Sequence, residues 1–243
     1  MKIAVAGGTG VVGKYVVELA NAAGYEVLSL SRSQGVDLTN DTNINLSGVD
    51  AVIDVSGTKT ISSQKAKTFF EKTTSNLLKA EAAAGVKHHI ALSIVGASKA
   101  PYGYYAGKAL QEELVAKGEI PWSILCTTQF FEFAEQNLVN IGNFKIIPKM
   151  VSQPIAAQTV AKQLLKLVEA GPQRDIATIA GLEQMKMAKV LDSIAKVKAK
   201  SFKIIEMPLP NRFGKALFDG SILPDQETVL IRPALDEWLR IKK

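Results

Sequence analysis

The chain has 243 residues, 47% of them hydrophobic, and its 29 basic and 23 acidic residues give a formal net charge of +6 at pH 7. This length suits one α/β domain, and no apolar run approaches the roughly 20 residues of a membrane span. The lysines are scattered, which argues against a nucleic-acid surface and leaves a small anionic molecule as a suitable partner. The apolar run Ile3–Ala6 leads straight into glycines, unlike a secretory signal, and Cys126 is the single cysteine. We therefore expect a cytoplasmic protein.

The first half of the chain alternates short apolar strands with helices. Strands are predicted at Lys2–Ala6, Glu26–Ser31, Ala51–Val55, His89–Ser93 and Trp122–Cys126. Helices are predicted at Val11–Ala23, Lys65–Ala84 and Tyr104–Lys117, each followed by a glycine. The polar stretch 33–48 is predicted as loop, with one short strand near Val36. This alternation predicts an α/β fold with a Rossmann-like, doubly wound parallel sheet.

The alternation loosens after Thr127, where prolines interrupt the pattern. Helices are predicted at Ala156–Ala170 and Gln184–Val197, and strands at Ile176–Ala180 and Lys203–Met207. We predict a Rossmann-like domain over 1–150. We expect 151–243 to return partly to that domain and partly to form a small C-terminal substrate lobe.

A glycine cluster follows the first predicted strand and opens the first predicted helix. Gly7, Gly10 and Gly13 give the spacing G-x-x-G-x-x-G. Glycine permits a tight turn, lets a pyrophosphate approach the N-terminus of a helix, and lets that helix pack closely on the strand. The motif predicts a dinucleotide site, and a glycine turn without a ligand is the alternative. The residues predicted to contact the dinucleotide here are Gly7, Thr9, Gly10, Val11, Val12 and Gly13. This spacing resembles the extended and atypical branches of the short-chain dehydrogenase/reductase superfamily.

The residues after the second predicted strand indicate which dinucleotide binds. NAD-specific folds place an acidic residue there to hold the ribose 2′-hydroxyl, whereas this chain has Ser31, Arg32 and Ser33. A guanidinium can pair with a 2′-phosphate, and serine hydroxyls can donate to it. We therefore predict NADP(H) in preference to NAD(H), with a plain surface charge as the alternative for Arg32.

A turn of small residues follows the apolar strand in "VIDVSGT". This strand is the fourth of the chain if Val36 also lies in a strand. Ligands of open α/β sheets bind at the carboxyl ends of the strands. We predict that Ser56, Gly57 and Thr58 approach the cofactor ribose. An ordinary turn at the end of a strand is the alternative.

Tyr104 and Lys108 are spaced to share one helix face, and Ser93 ends an earlier strand. In the superfamily that the chain resembles, such a tyrosine exchanges a proton with the substrate carbonyl. The lysine lowers the pKa of that tyrosine and holds the nicotinamide ribose, and the serine polarises the carbonyl. The resemblance assigns these catalytic roles to Tyr104, Lys108 and Ser93, although Tyr-x-x-x-Lys also occurs by chance in helices. The spacing from Ser93 to Tyr104 is slightly short for that superfamily, which puts the role of the serine in question.

Nearly the whole chain resembles NmrA-like, atypical short-chain dehydrogenases/reductases. The stretches that carry the resemblance are "AVAGGTGVVGKYVV", "LSRSQGVDLT", "GVDAVIDVSG", "HHIALSIVG", "GYYAGKALQEELV", "PWSILCTTQFFEF" and "LPDQETVLIRPALDEWL". The resemblance implies that Asp37 and Leu38 lie against the adenine. It also implies that Phe130 and Phe131 line a substrate pocket, with core packing as the alternative. Relatives often carry arginine in place of Cys126, so a changed contact near the nicotinamide is expected.

The leading functional hypothesis is an NADPH-dependent oxidoreductase that passes hydride to a small carbonyl or quinone-type substrate. The alternative is a non-catalytic NADP(H)-binding redox sensor, as in some NmrA-like proteins. A sugar-nucleotide epimerase shares the fold but is disfavoured, because we expect such enzymes to be longer. No metal site is predicted, and the protein is expected to be a monomer or homodimer. We interpret Asp54, His88 and His89 as structural residues.

Overall fold

The computed structural model describes residues 1–41, 43–136, 139–210 and 212–241. Its strands are β1 (Lys2–Ala6), β2 (Glu26–Leu30), β3 (Ala51–Asp54), β4 (His88–Ile94), β5 (Trp122–Thr127), β6 (Val139–Ile141), β7 (Phe144–Pro148), β8 (Val151–Ser152), β9 (Ile176–Ala180), β10 (Met185–Lys186), β11 (Lys203–Met207) and β12 (Val229–Leu230). Its helices are α1 (Gly13–Ala22), α2 (Ser63–Ala84), α3 (Tyr104–Lys117), α4 (Phe133–Gln136), α5 (Ala157–Ala170), α6 (Met187–Val197), α7 (Arg212–Ala216) and α8 (Leu235–Ile241).

Seven parallel strands form the central sheet, in the order β12-β9-β5-β4-β3-β1-β2. Helices α1 and α5 pack against each other, as do α2 and α3. Apolar side chains of β1, β3 and β4 enter one buried cluster with α1 and α5. Leu77 and Ala80 of α2 pack with Ala4 and Val52 in another cluster. The predicted doubly wound Rossmann-like fold is confirmed.

Two glycines allow α2 to end and α3 to pack closely against it. Gly85 ends α2 with a left-handed φ of +69°, which glycine adopts without steric cost. Gly107 lies inside α3, where a Cβ atom would approach the backbone carbon of Ala66 to 2.8 Å. The close crossing of the two helices therefore requires a residue without a side chain at position 107.

The 33–48 segment differs from the prediction. Arg32–Gln34 forms a single 3₁₀ turn, and no strand is present near Val36 in this segment, whose residue 42 lies outside the described part. The strand expected there was wrong, because Val36 follows a left-handed Gly35 and its N–H donates back to the carbonyl of Ser31. The turn at 56–58 therefore follows the third strand of the chain, not the fourth.

The C-terminal half contributes to two places. Strands β9 and β12 join the central sheet, while β11, β7 and β6 form a separate three-stranded sheet and β10 pairs with β8. A third apolar cluster joins β7, β10 and β11 to α6 and α8. The small sheet includes β6 and β7, which precede residue 150. The boundary between 1–150 and 151–243 stays a prediction.

Both histidines lie at the amino end of β4, away from the carboxyl ends of the strands. The Nδ1 atom of His89 lies 2.8 Å from a Glu81 carboxylate oxygen, and His88 Nε2 lies 2.9 Å from Ser123 Oγ. Burial disfavours the charged form of His89, but the Glu81 carboxylate outweighs it and raises the pKa of this histidine. Burial and the neighbouring His89 lower the pKa of His88 to about 4. These contacts support a structural role for both side chains.

Candidate active site

One cavity of about 710 Å³ opens at the carboxyl ends of β1 to β5. Of the predicted cofactor-binding and catalytic residues, all but Gly13 line this cavity: Gly7, Thr9, Gly10, Val11, Val12, Ser31, Arg32, Ser33, Asp37, Leu38, Ser56, Gly57, Thr58, Ser93, Tyr104 and Lys108. The structure therefore brings together residues that are up to about a hundred positions apart in the chain.

The glycine turn forms the floor of the cavity where β1 meets α1. Gly7 has a φ of +80°, and a Cβ atom there would approach the Cα of Ser56 to 2.9 Å. Gly13 instead faces the turn itself, since its Cβ would lie 2.2 Å from the Gly7 carbonyl oxygen. Gly13 thus allows α1 to pack on β1 rather than lining the cavity.

The N-terminus of α1 is open to the cavity. Val11 and Val12 line the cavity, and neither backbone N–H has a hydrogen-bond partner among the residues the structure describes. No side chain in the described part of the chain caps this end of the helix, and its first turn holds no acidic residue. Free N–H groups at a helix N-terminus attract an anion, so this end fits a phosphate group.

Arg32, Ser31 and Ser33 stand at the far end of the cavity, after β2. The hydroxyl oxygens of Ser31 and Ser33 lie 3.1 Å apart, and Arg32 is exposed. Asp37 is the nearby acid, and its carboxylate accepts hydrogen bonds from Thr39 and Asn40 within its own turn. These hydrogen bonds, with a smaller contribution from Arg32, lower the pKa of Asp37.

The turn after β3 is held by a buried carboxylate. An Asp54 oxygen accepts from the Ser56 backbone N–H at 2.9 Å, and the other oxygen accepts from the Gln111 amide at 2.7 Å. Asp54 is fully buried, which accords with its interpretation as a structural residue. The Ser56 Oγ atom is also buried but lacks a partner among the described residues. A buried hydroxyl without a partner is costly, so a bound ligand would satisfy it.

Tyr104 lies beside this turn. Its hydroxyl oxygen is 3.2 Å from the position that a Cβ atom of Gly57 would occupy, and its ring meets the edge of Phe70. Burial and the Asp54 charge raise the pKa of Tyr104. The expected lowering of this pKa by Lys108 is therefore wrong for this structure.

Lys108 is buried and directed into the protein. Its Nζ atom hydrogen-bonds the Gln111 side-chain oxygen and lies 4.5 Å from the centre of the Phe70 ring. Burial lowers the pKa of Lys108 to about 8, although Asp54 and Glu112 oppose this shift. The ammonium is thus held at the cavity wall by groups behind it.

Ser93 also faces away from the cavity centre. Its hydroxyl donates to a carboxylate oxygen of Glu112, which also accepts from the Cys126 thiol at 3.6 Å. Burial and Glu112 raise the pKa of Cys126 to about 12. Cys126 does not line the cavity, and the expected changed contact near the nicotinamide stays a prediction. The polarising role of Ser93 stays a prediction.

The turn at 127–130, which the resemblance places beside the nicotinamide, lines the cavity, whereas the largely apolar wall that follows it was missed from the sequence. Together these parts of the lining are Thr127, Thr128, Gln129, Phe130, Phe133, Gln136, Pro148, Met150, Leu209, Phe213 and Leu217. Phe130 lines the cavity as one alternative expected, whereas Phe131 is buried against Trp238 in the core. From Phe133 onward, these lining residues have no local signal that separates them from core residues.

Comparisons with known proteins relate the first half of the chain to a family. Residues 3–122, slightly less than half of the chain, match the model of the NAD dependent epimerase/dehydratase family. No curated protein sequence matches this chain. The resemblance to NmrA-like, atypical short-chain dehydrogenases/reductases therefore stays a prediction.

Solved structures with the same fold cover almost the whole chain. A dTDP-4-dehydrorhamnose reductase from Bacillus anthracis in complex with NADP has a TM-score of 0.74 at 12% identity, covering 100% of this chain and 98% of its own. A reductase of the same description from Clostridium acetobutylicum has a TM-score of 0.70 at 15% identity, covering 100% and 99%. A short-chain dehydrogenase/reductase superfamily protein from Agrobacterium tumefaciens with bound NAD has a TM-score of 0.69 at 15% identity, covering 99% and 95%.

The alignments with the two reductases take in 98% and 99% of their chains. The expectation that a sugar-nucleotide epimerase would be longer than this chain stays a prediction. The lining of the cavity bears on the substrate class independently of length.

Among the described residues, no helix combines the length and apolarity needed to cross a membrane. In the same part of the chain, no group of three or more His, Cys, Asp or Glu side chains could hold a metal ion.

Proposed function

We propose that this protein is an NADPH-dependent reductase of a small, apolar carbonyl or quinone-type compound. The observation that carries the proposal is the continuity of one cavity. It runs from Arg32, past Tyr104, to the apolar wall that includes Phe213. A dinucleotide and a small substrate would meet at Tyr104 in such a space.

The chain's residues fit NADP(H) at several points. The open N-terminus of α1 suits the pyrophosphate, and the unpartnered Ser56 Oγ suits a ribose hydroxyl. Arg32, with the two neighbouring serines, suits the 2′-phosphate and supports NADP(H) over NAD(H). Asp37 and Leu38 line the cavity next to this end, where we propose that they flank the adenine.

The reaction follows from the groups that surround Tyr104. The bound cofactor supplies a hydride to the substrate's electrophilic carbon. The Tyr104 hydroxyl, with its raised pKa, keeps its proton at neutral pH and can donate it to the developing alkoxide oxygen. Lys108 holds the ribose side of the site with its ammonium. A quinone substrate can take its proton from solvent, so its reduction depends less on Tyr104.

The charge distribution along the cavity favours an apolar substrate. Among the residues that the structure describes, its charged lining residues are Arg32, Asp37, Lys59 and Lys108, all before residue 127. The described lining residues from 127 onward carry no charge. A sugar nucleotide brings a diphosphate, which proteins usually bind with cationic side chains or clustered N–H groups. We therefore propose a different substrate class from the dTDP-sugar named for the two reductases of the same fold.

A second candidate is a redox sensor that binds NADP(H) without turning it over. The observation that favours it is the inward direction of two of the three predicted catalytic groups. Lys108 bonds Gln111, and Ser93 bonds Glu112. This alternative predicts cofactor binding without reduction of any substrate.

The test is NADPH oxidation with a panel of quinones, aromatic aldehydes and a dTDP-4-keto sugar. We expect turnover of the apolar compounds only. Tyr104→Phe should lower kcat/KM for an aldehyde about 100-fold, the lower end for a lost general acid, and should change quinone reduction much less. Tyr102→Phe is the matched control, because Tyr102 is near Tyr104 in sequence but does not line the main cavity. Cofactor binding with no turnover would overturn the reductase in favour of the sensor, and turnover of the sugar alone would overturn the substrate class.

A further inference from the structure

Behind Lys108 lies a buried chain of polar groups that the reaction above does not use. The Gln111 amide nitrogen donates to an Asp54 oxygen at 2.7 Å, and the Gln111 oxygen accepts from Lys108 Nζ. Asp54 and Gln111 are fully buried, and Lys108 is 3% exposed. We propose that Asp54 and Gln111 are positioning residues for Lys108, with the Asp54 carboxylate acting as its counter-ion. This inference rests on the proposed role of Lys108 at the cofactor.

The direction of the Gln111 amide follows from Asp54. A carboxylate accepts hydrogen bonds only, so it selects the NH₂ group of the amide. The amide oxygen must then point the other way, where it accepts from Lys108. A single carboxylate thus fixes the orientation of a neutral side chain that in turn fixes the ammonium.

The same carboxylate also holds the cofactor side of the cavity. Its second oxygen accepts from the Ser56 N–H at 2.9 Å, in the turn predicted to contact the ribose. Asp54 therefore links the end of β3 to α3, and sets the Ser56 turn and the Lys108 ammonium relative to each other. A buried charge without a partner is strongly unfavourable, so the acid at this apolar strand position requires these hydrogen-bond partners.

Other titratable groups also surround Lys108, and the test has to separate their influence on its pKa from that of Asp54. They are Glu112 on α3, Cys126 on β5, His89 on β4 with its partner Glu81 on α2, and Tyr104 one turn earlier on α3. Glu112 accepts from Ser93 and Cys126, and Glu81 is paired with His89. Asp54 is the acid joined to Lys108 through Gln111.

The experiment measures Lys108 directly, without substrate. Protein labelled with ¹³C at the lysine Cε is titrated by NMR, and Lys108 is identified by its absence in Lys108→Arg. Burial sets the pKa of Lys108 to about 8 in the folded chain. Removing the negative charge in Asp54→Asn favours the neutral amine, so the midpoint should move down by at least about one pH unit. Glu113→Gln is the control, an exposed carboxylate on the same helix that pairs with Lys117. It should leave the midpoint unchanged.

A second variant keeps the proposal testable if Asp54→Asn fails to fold. Gln111→Met keeps the side-chain volume and the Asp54 charge but removes the two hydrogen bonds that join Asp54 to Lys108. NADPH affinity should therefore fall several-fold. An unchanged Lys108 midpoint in folded Asp54→Asn, or unchanged NADPH affinity in Gln111→Met, would overturn the proposal. If Asp54 only holds the Ser56 turn, Asp54→Asn should weaken NADPH binding equally at every pH and leave the Lys108 midpoint unchanged, which would also overturn the proposal. Absence of turnover in the wild type would contradict the proposed reductase but would leave the NMR result standing.

Discussion

The two halves of the cavity are built in different ways. The cofactor half comes mainly from short turns that directly follow β1, β2 and β3 and from helix α3, and its four charged lining residues in the described part of the chain all precede residue 127. The substrate half comes from segments spread between 127 and 217, and its described lining residues are uncharged. A charged, invariant ligand needs N–H groups and cations in fixed places. A small apolar substrate needs only shape and apolar surface.

This difference has a consequence for mutation. Backbone geometry determines the cofactor half, so changes there should affect folding and dinucleotide binding together. Side chains alone determine the substrate half, so changes there should affect substrate binding and leave the fold and the cofactor largely untouched. Three substitutions test this contrast, from the largest expected effect to the smallest.

The largest effect is expected from Gly13→Ala in the glycine turn. Its new Cβ would lie 2.2 Å from the Gly7 carbonyl oxygen, which is backbone and cannot move aside without shifting α1 from β1. We expect a loss of about 3 kcal/mol in the free energy of unfolding, the upper range for overpacking. For a chain of this size this corresponds to a fall in Tm of roughly 6–12 °C. Thermal unfolding followed by circular dichroism measures it.

Gly118→Ala provides the control for this substitution. A Cβ atom added at Gly118 would meet its nearest neighbour, the Val115 carbonyl oxygen, at 3.3 Å, and φ at this position is −70°. We expect a change of less than about 1 kcal/mol there. A Gly13→Ala protein as stable as the wild type would show that the turn does not need close packing. It would contradict the idea that backbone geometry determines the cofactor half.

The same contrast explains what could be predicted from the sequence. Helix α3 and strands β9 and β11 have the predicted bounds, because a continuous apolar pattern and a terminating glycine or proline mark each segment. Strands β6 and β7 and helix α8 were missed. They are short, β6 is wholly exposed, and β7 pairs with β11 about sixty residues later. Their formation depends on partners that are distant in the sequence.

The site shows the same division. Gly7, Arg32 and Ser56 could be predicted, because each lies in a turn whose composition differs from that of a core segment. Met150 and Leu217 line the cavity too, but an apolar residue gives no sign in the sequence of whether it faces a cavity or the core. The directions of Lys108 and Ser93 also could not be predicted. They depend on Gln111 and Glu112, whose neighbours are set by the packing of α3 on the sheet.

An intermediate effect is expected from Arg32→Ala, at the far end of the cofactor half. Removing a charge-assisted pairing with the 2′-phosphate should weaken NADPH binding about 20-fold, equivalent to about 1.8 kcal/mol. NADH lacks this phosphate, so its affinity should change less than about twofold, and calorimetry measures both. Arg240→Ala, on α8 and away from the cavity, is the control. Equal losses of affinity for NADPH and NADH would show that Arg32 does not pair with the 2′-phosphate.

The smallest effect is expected from Phe213→Ala in the substrate half. Phe213 lines the cavity and its ring meets the edge of Tyr105, with centroids 5.3 Å apart. Loss of this aromatic wall should raise KM for an apolar substrate about fivefold, equivalent to about 1 kcal/mol, the usual strength of an aromatic contact. Kinetics at saturating NADPH measure KM, and calorimetry should give an unchanged Kd for NADPH.

Phe218→Ala is the matched control, since Phe218 lies five residues later, is 39% exposed and does not line the cavity. It should change neither constant. If Phe213→Ala instead weakened NADPH and substrate to the same degree, the apolar wall would support the cofactor site as well. The two halves of the cavity would then be one cooperative unit, because a side-chain change in the substrate half would have moved the turns of the cofactor half.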